Sequence, residues 1–347
     1  MFRRNIRVRL QGFRKYKGSD QEVCRAIIED CWNGRFFQVS AGHFQTFYAR
    51  DFSWCAKPLI ELGHRQRVES TLRFALENYR RHGRVRVAVT KKGKPFDFPR
   101  YAVDSLPSLM RSLRVLGSNE LTEEYRGFLE AEVAYFVRKV VGKDGMVIKG
   151  HFSSIRDHYV HESSCYDNTM VAMLSQDLDS LGLKNPLQSD YPNILKQHFW
   201  NKDHFVEERG DDVITGESNI FPFCCSIFND RRMIRKAVDR LRKEGLDKPF
   251  PLRYAKERRE EKEIGLSFLA NNYEGDAIWM HIGLIYIQAV KMVDKKLAYE
   301  YLAEYRKLIE KYMNFLEVFD KEGKPFRSPF YYTDESMLWC SIYLSMI

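Results

Sequence analysis

Carboxylates, amides and aromatic rings crowd together at five points of this 347-residue chain. The densest is HESSCYDNTM, His161 to Met170, where Glu162, Tyr166, Asp167 and Asn168 stand directly ahead of the apolar run MVAML. The others are QTFYARDFSW with Tyr48, Arg50, Asp51 and Trp54, TGESNIFPF with Glu217 and Asn219, ANNYEGDAIW with Tyr273, Glu274 and Trp279, and FYYTDESMLW with Glu335. Such mixtures suit carbohydrate, because aromatic faces stack on the C–H surfaces of a sugar while carboxylates and amides bond its hydroxyls. Two carboxyl groups facing a glycosidic bond, one protonated and one ionised, can cleave it. Asp167 is expected to be the acid of such a pair. The plain alternative is that each acid caps the helix behind it, since Asp and Ser are favoured N-caps. Repetition of the same composition at several helix starts weighs against capping as the whole explanation.

Other chemistries find less support. HFSSIRDHYVH offers His151, His158 and His161, but without cysteine partners, and scattered histidines usually serve as hydrogen-bonding groups, so no metal is expected. No phosphate loop of the GxxxxGK[ST] type is present, and no cofactor is expected. The seven cysteines are odd in number, lack CxxC spacing and sit mostly in apolar helical patterns, as reduced core residues of a cytoplasmic protein would.

The elements that must carry these residues read as helices. A period of 3.6 predicts helices near 20–33, 51–63, 65–82, 102–117, 120–141, 167–181, 189–200, 219–228, 230–244, 276–293, 296–319 and 334–346. Strand signals are confined to RVRVAVTKKGKPFDF and to a hairpin around Gly210 in HFVEERGDDVITGE. Charged helices such as AYEYLAEYRKLIEKYMNFLEVF alternate with apolar ones such as DAIWMHIGLIYIQAV, and a helix apolar nearly all round must be buried while one with a charged face lies outside. Two concentric layers follow: an all-α (α/α)6 toroid over residues 20–347, with short β-hairpins in its loops, preceded by a basic extension over 1–19 that reads as an edge strand or a tail. Lys and Arg number 56 against 47 Asp and Glu, a net charge of +9, but the signs are interspersed, as on a solvated surface rather than a nucleic-acid face. The longest apolar stretch is shorter than a membrane span. A carbohydrate is therefore the one partner expected, and the oligomeric state is left unassigned.

ESSCYDNTM resembles the ESGxDNSP signature of the α/α-toroid glycoside hydrolases that include processing α-glucosidase I and bacterial mannosylglycerate hydrolase. The resemblance implies that Asp167 is the general acid, and that Glu335 in DESMLW is the general base. NYEGDAIWMHIG resembles the YxGPxW segment of the same family at Tyr273, Gly275 and Trp279. FYARDFSW and AVDSLPSLMRSL resemble segments of the alkaline and neutral invertases, another α/α-toroid family. Ser164 replaces the family's glycine, Thr169-Met170 its Ser-Pro, and Asp276-Ala277 stand where it favours proline.

The expectation that follows is an inverting glycosidase acting on a small glycoside or oligosaccharide, an α-linked glucoside first among them. Its carboxyl groups would stand about 6.5–9.5 Å apart to admit a water. Arg50, Asp51 and Asp104 would bind sugar hydroxyls, with Glu162, Asn168, Glu217, Tyr273 and Glu274 as further contacts, and Tyr48, Trp54, Tyr166 and Trp279 as aromatic walls. Two rivals share the fold: a sugar epimerase or isomerase using His43, His151, His161 and His281, and a non-catalytic carbohydrate-binding relative.

Overall fold

The computed structural model describes residues 2–150 and 152–347, so His151 lies outside the described residues. Six helices form an inner ring: α3 (Ala49–Glu61), α5 (Ser105–Leu116), α7 (Cys165–Ser180), α9 (Gly216–Cys224), α11 (Met280–Val293) and α13 (Cys340–Leu344). Each of the first four packs on the next, and α13 closes the ring against α3. Six outer helices alternate with them: α2 (Asp20–Cys31), α4 (Arg65–His82), α6 (Asn119–Val140), α8 (Tyr191–Phe199), α10 (Arg231–Lys243) and α12 (Lys295–Tyr312). This is the all-α six-hairpin toroid.

Side-chain periodicity explains the layering. In α10 the arginines and lysines lie toward solvent and only Ile234, Ala237, Val238 and Leu241 are buried, whereas in α11 every residue from Met280 to Ile287 is buried. A helix of the second kind is stable only with neighbours all round it. Gly283 lets α11 come close to its surroundings: a Cβ there would overlap the Tyr305 hydroxyl and the Pro251 carbonyl. Caps set the starts. Ser19 and Glu22 form a capping box on α2, while Ser164, Asp294 and Asp190 cap α7, α12 and α8.

The small strands lie in the loops. β1 (Phe47–Tyr48), β2 (Ala88–Val89) and β3 (Pro95–Phe96) form an antiparallel sheet, β4 (Trp200–Asn201) pairs with β5 (His204–Phe205), and β6 (Ile278–Trp279) pairs with β7 (Val318–Phe319). The hairpin around Gly210 is reduced to one bridge, Val206 to Ile214. Three expectations are corrected, the first being the helix read over 334–346, of which only α13 is helical. The basic segment read as a strand or tail contains a helix, α1 (Phe2–Gln11), whose Arg4, Asn5 and Arg9 donate to carbonyls of residues 328–333. The helix read over 296–319 stops at Tyr312, where Met313 takes a left-handed conformation and the chain turns into β7.

Candidate active site

The N-terminal ends of the inner helices and the loops before them surround a cavity of about 380 Å³. Four carboxylates line it: Asp51 at the start of α3, Asp157 in the loop before α7, Glu274 before α11 and Glu317 before α13. Its walls are aromatic, from Phe44, Tyr48, Phe96, Phe98, Tyr273, Trp279, Tyr331 and Trp339, and His43, His158 and His281 also face it.

Asp157 follows a fully buried arginine. Arg156 pairs with Glu207 and, at 2.7 Å, with Glu217, and its guanidinium lies 4.5 Å from the Tyr159 ring, so the loop ahead of α7 is tied down from beneath. Asp157 itself turns into the cavity, where Arg50 Nη2 reaches it at 3.1 Å and its side chain keeps 21% of its surface open. Burial pushes its carboxyl up to about 8; Arg50 opposes the rise, and Glu274 and Asp104 add to it. The protonated form is therefore favoured far more than in an ordinary aspartate.

Glu317 is a carboxylate wrapped in donors. Tyr273 and Tyr331 donate their hydroxyls to its two oxygens, and the Asp334 N–H donates at 2.8 Å. Burial raises it to about 7, the neighbouring Asp334 carboxylate adds to that, and the two tyrosines pull the other way. Asp51 accepts from Trp339 Nε1 at 3.0 Å and is pushed by burial to about 6 against the pull of Arg50. Glu274 accepts from the His158 N–H at 2.6 Å. His281 packs on the Trp339 ring at 4.5 Å, and burial, with help from Arg50, lowers it to about 3, so it is neutral.

The structure brings together Tyr48, Arg50, Asp51, Tyr273, Glu274 and Trp279 in this cavity and leaves the other expected site residues out of its lining. Asp167 is buried inside the first turn of α7: its N–H bonds the Ser164 hydroxyl at 3.1 Å and its carboxylate accepts from Ser154 at 2.6 Å. Glu335 points away, toward α1, where Arg7, Arg4 at 3.4 Å and the Arg14 N–H at 2.6 Å hold it. The expected pairing of Asp167 with Glu335 across the cavity is therefore corrected. Glu335 precedes Ser336, whose left-handed backbone turns the chain between Glu335 and the cavity-lining Met337.

Asp104 lies one layer below the cavity, holding Arg50 Nε at 2.8 Å and the Tyr166 hydroxyl at 3.0 Å, so Asp104 and Tyr166 support the arginine instead of meeting a ligand. Asn168 is spent on Ser163, Ser164 and the Val147 N–H, and Glu217 on Arg156. Glu162 is exposed and pairs with Lys149 at 2.9 Å. Trp54 lies a turn further along α3 than Asp51 and lines a separate depression. Among the histidines, His161 stands beside Glu208 at 3.5 Å, away from the cavity.

Asp157, Glu317 and Tyr331 escaped the sequence reading, although signals for the first two exist. Arg156-Asp157 followed by His158 and Tyr159 echoes Arg50-Asp51-Phe52, and Glu317 is the one acid in the apolar run FLEVF. A buried polar group in such a run asks for an explanation.

No family model and no curated protein matches the sequence. Solved structures do resemble the fold. A glycosidase variant in complex with glucose is 10% identical over 94% of both chains, with a TM-score of 0.66. A mannosylglycerate hydrolase from Thermus thermophilus in complex with Tris is 11% identical over 94% of this chain and 99% of its own, at 0.65. A rhamnosidase from Klebsiella oxytoca with rhamnose bound is 12% identical over 94% of this chain and 62% of its own, at 0.67. The likeness extends over nearly the whole ring, and the chain shares with these enzymes the six-hairpin toroid.

Proposed function

We propose that the protein is a glycoside hydrolase acting on a small glycoside or oligosaccharide, with Asp157 as general acid and Glu317 as general base. The observation that carries this reading is the pair itself. Two carboxylates on loops three inner helices apart, and so from opposite sides of a six-helix ring, line one aromatic-walled cavity. Their surroundings divide the roles. Asp157, its carboxyl pushed up to about 8, is suited to carry the proton that goes to the departing oxygen. Glu317, fixed by two tyrosine hydroxyls and a backbone N–H, keeps acceptor capacity to activate a water. Arg50 and Asp51 would bond sugar hydroxyls, with Tyr48, Trp279 and Trp339 as stacking faces. In an inverting mechanism this pair leaves room for a water between base and anomeric carbon, whereas in a retaining one the second carboxylate attacks the carbon itself. The fold shared with solved glycosidases supports the same reading.

The test is a screen of neutral glucosides, sucrose, trehalose and mannosyl conjugates, reading released monosaccharide and, by NMR, its first-formed anomer. Asp157→Asn and Glu317→Gln should each lower turnover about 10²–10⁴-fold, the usual worth of general acid–base catalysis. Full activity in either variant, or no release from any sugar, sinks the assignment. The cavity's three histidines keep an epimerase as a second reading. Deuterium uptake from D₂O into a free aldose would favour it.

A further inference from the structure

The ring has a second opening at its opposite end. There the C-terminal parts of the inner helices leave a cavity of about 450 Å³, lined by Trp54, Arg111, Phe223, Gln288 and Lys291 among others. Its charged lining residues are Lys57, Arg111 and Lys291 against the single acid Glu61, which pairs with Lys57 at 3.7 Å. The cavity at the other end carries the reverse balance, Arg50 against Asp51, Asp157, Glu274 and Glu317.

Arg111 is the unusual member. Its guanidinium lies against the Trp54 ring, 4.0 Å from the centroid, and Nη1 donates to the Ser53 carbonyl. Among the described residues no carboxylate pairs with it. Asp177, the acid that acts on it at longer range, is taken by Arg114. Burial consequently lowers Arg111 below the ordinary arginine value. The other arginines turned into the ring or its loops have partners: Arg50 holds Asp104 and Asp157, and Arg156 holds Glu207 and Glu217. A guanidinium has five N–H donors in a planar fork suited to an oxyanion, and one carbonyl leaves most of them unused. Lys291, half-buried on the same wall, donates to the Met346 carbonyl at 3.3 Å and lies over the Tyr299 ring, with no carboxylate partner among the described residues.

We propose that this basal cavity is a second ligand site, which takes a small molecule bearing a phosphate or carboxylate: the oxyanion on Arg111 and Lys291, the apolar part over Trp54 and Phe223. The site is independent of the glycosidase reading, since no residue is shared between the two cavities.

Isothermal titration of the intact protein with inorganic phosphate in one arm and benzoate in the other, against sodium chloride of matched ionic strength, tests it. Saturable binding in one arm identifies which oxyanion source the site prefers. Arg111→Gln should weaken that binding about ten- to hundredfold, the worth of a charge-assisted hydrogen bond. Lys291→Gln, on a half-buried residue, should weaken it in the same direction and serves where Arg111→Gln does not fold. Arg111→Lys, which keeps the charge and loses the fork, should fall between. No saturable heat in either arm, or affinity unchanged in both the Arg111→Gln and Lys291→Gln proteins, overturns the proposal.

Discussion

Asp157 and Glu317 must be in opposite protonation states for the proposed chemistry to run, and their surroundings leave a narrow window in which both are correct. The base works once Glu317 has lost its proton, near pH 7, and the acid works until Asp157 loses its own, near pH 8. The kcat/KM profile should therefore be a bell peaking between those values, with macroscopic limbs that belong to the pair. Arg50→Gln should move the alkaline limb upward, because the cation opposing the rise of Asp157 is gone; a limb that stays in place would take Asp157 out of the acid's role. Asp167 behaves differently. Burial holds it near 6, above its ordinary value, so the folded state binds its proton more tightly than the unfolded state does. Its contribution to stability is complete below about pH 4 and is lost as pH rises through 6. Asp167→Asn, which can still accept from Ser154, should leave turnover within about twofold and raise Tm at pH 7 but not at pH 4. A large loss of kcat in that variant would restore Asp167 to the chemistry.

Helices were far more legible than the site they carry. Eleven of the twelve expected segments coincide with a helix over most of their length, because each presents an apolar stripe with the right period to a partner helix. The exception is the last, where only Cys340–Leu344 is helical. Loops offer no such constraint, so Asp157 and Glu317, which belong to non-helical chain, gave no periodic signal. Asp167 and Glu335 misled for a physical reason as well: a buried acid is wanted by hydroxyls, backbone N–H groups and basic neighbours whether or not a substrate exists, and Ser154 meets the one while Arg4, Arg7 and the Arg14 N–H meet the other. The basic extension reads as an edge strand or tail because the acids it meets lie more than 300 residues away in sequence: Arg4 and Arg7 neutralise Asp334 and Glu335, two nearly inaccessible carboxylates. Arg4 is itself only 10% exposed on its side chain. Removing one member of a buried ion pair typically costs about 3–5 kcal/mol. Arg4→Met should destabilise the fold by that order in urea unfolding. Since Asp334 also donates its N–H to Glu317, the same variant should shift the acid limb of the pH profile. Unaltered stability would mean that α1 rests on the ring without holding it.

The molecule as a whole is a ring with unlike ends, the charged residues of one cavity being mostly acids and those of the other mostly bases. Its closure depends on α13 seating between α2 and α3, contacts that join the last helix of the chain to two of its first three. The Cys340 thiol meets the Cys24 carbonyl there, and Cys31 and Cys55 lie close enough to act on Cys340 electrostatically. Pairings of such sequence separation are slow to form, because the entropy of closing the loop precedes any reward from the contact. Until the ring closes, four thiols that end up together in the core remain open to oxidation, and a disulfide formed with the wrong partner in that interval would hold back the closure. Refolding from denaturant should accordingly give a higher yield with excess thiol reductant than without, and equal yields would remove the cysteines from the account. Once closed, the same packing shields them. A single late seam thus divides the protein's life into a period in which redox conditions decide its fate and one in which they hardly matter.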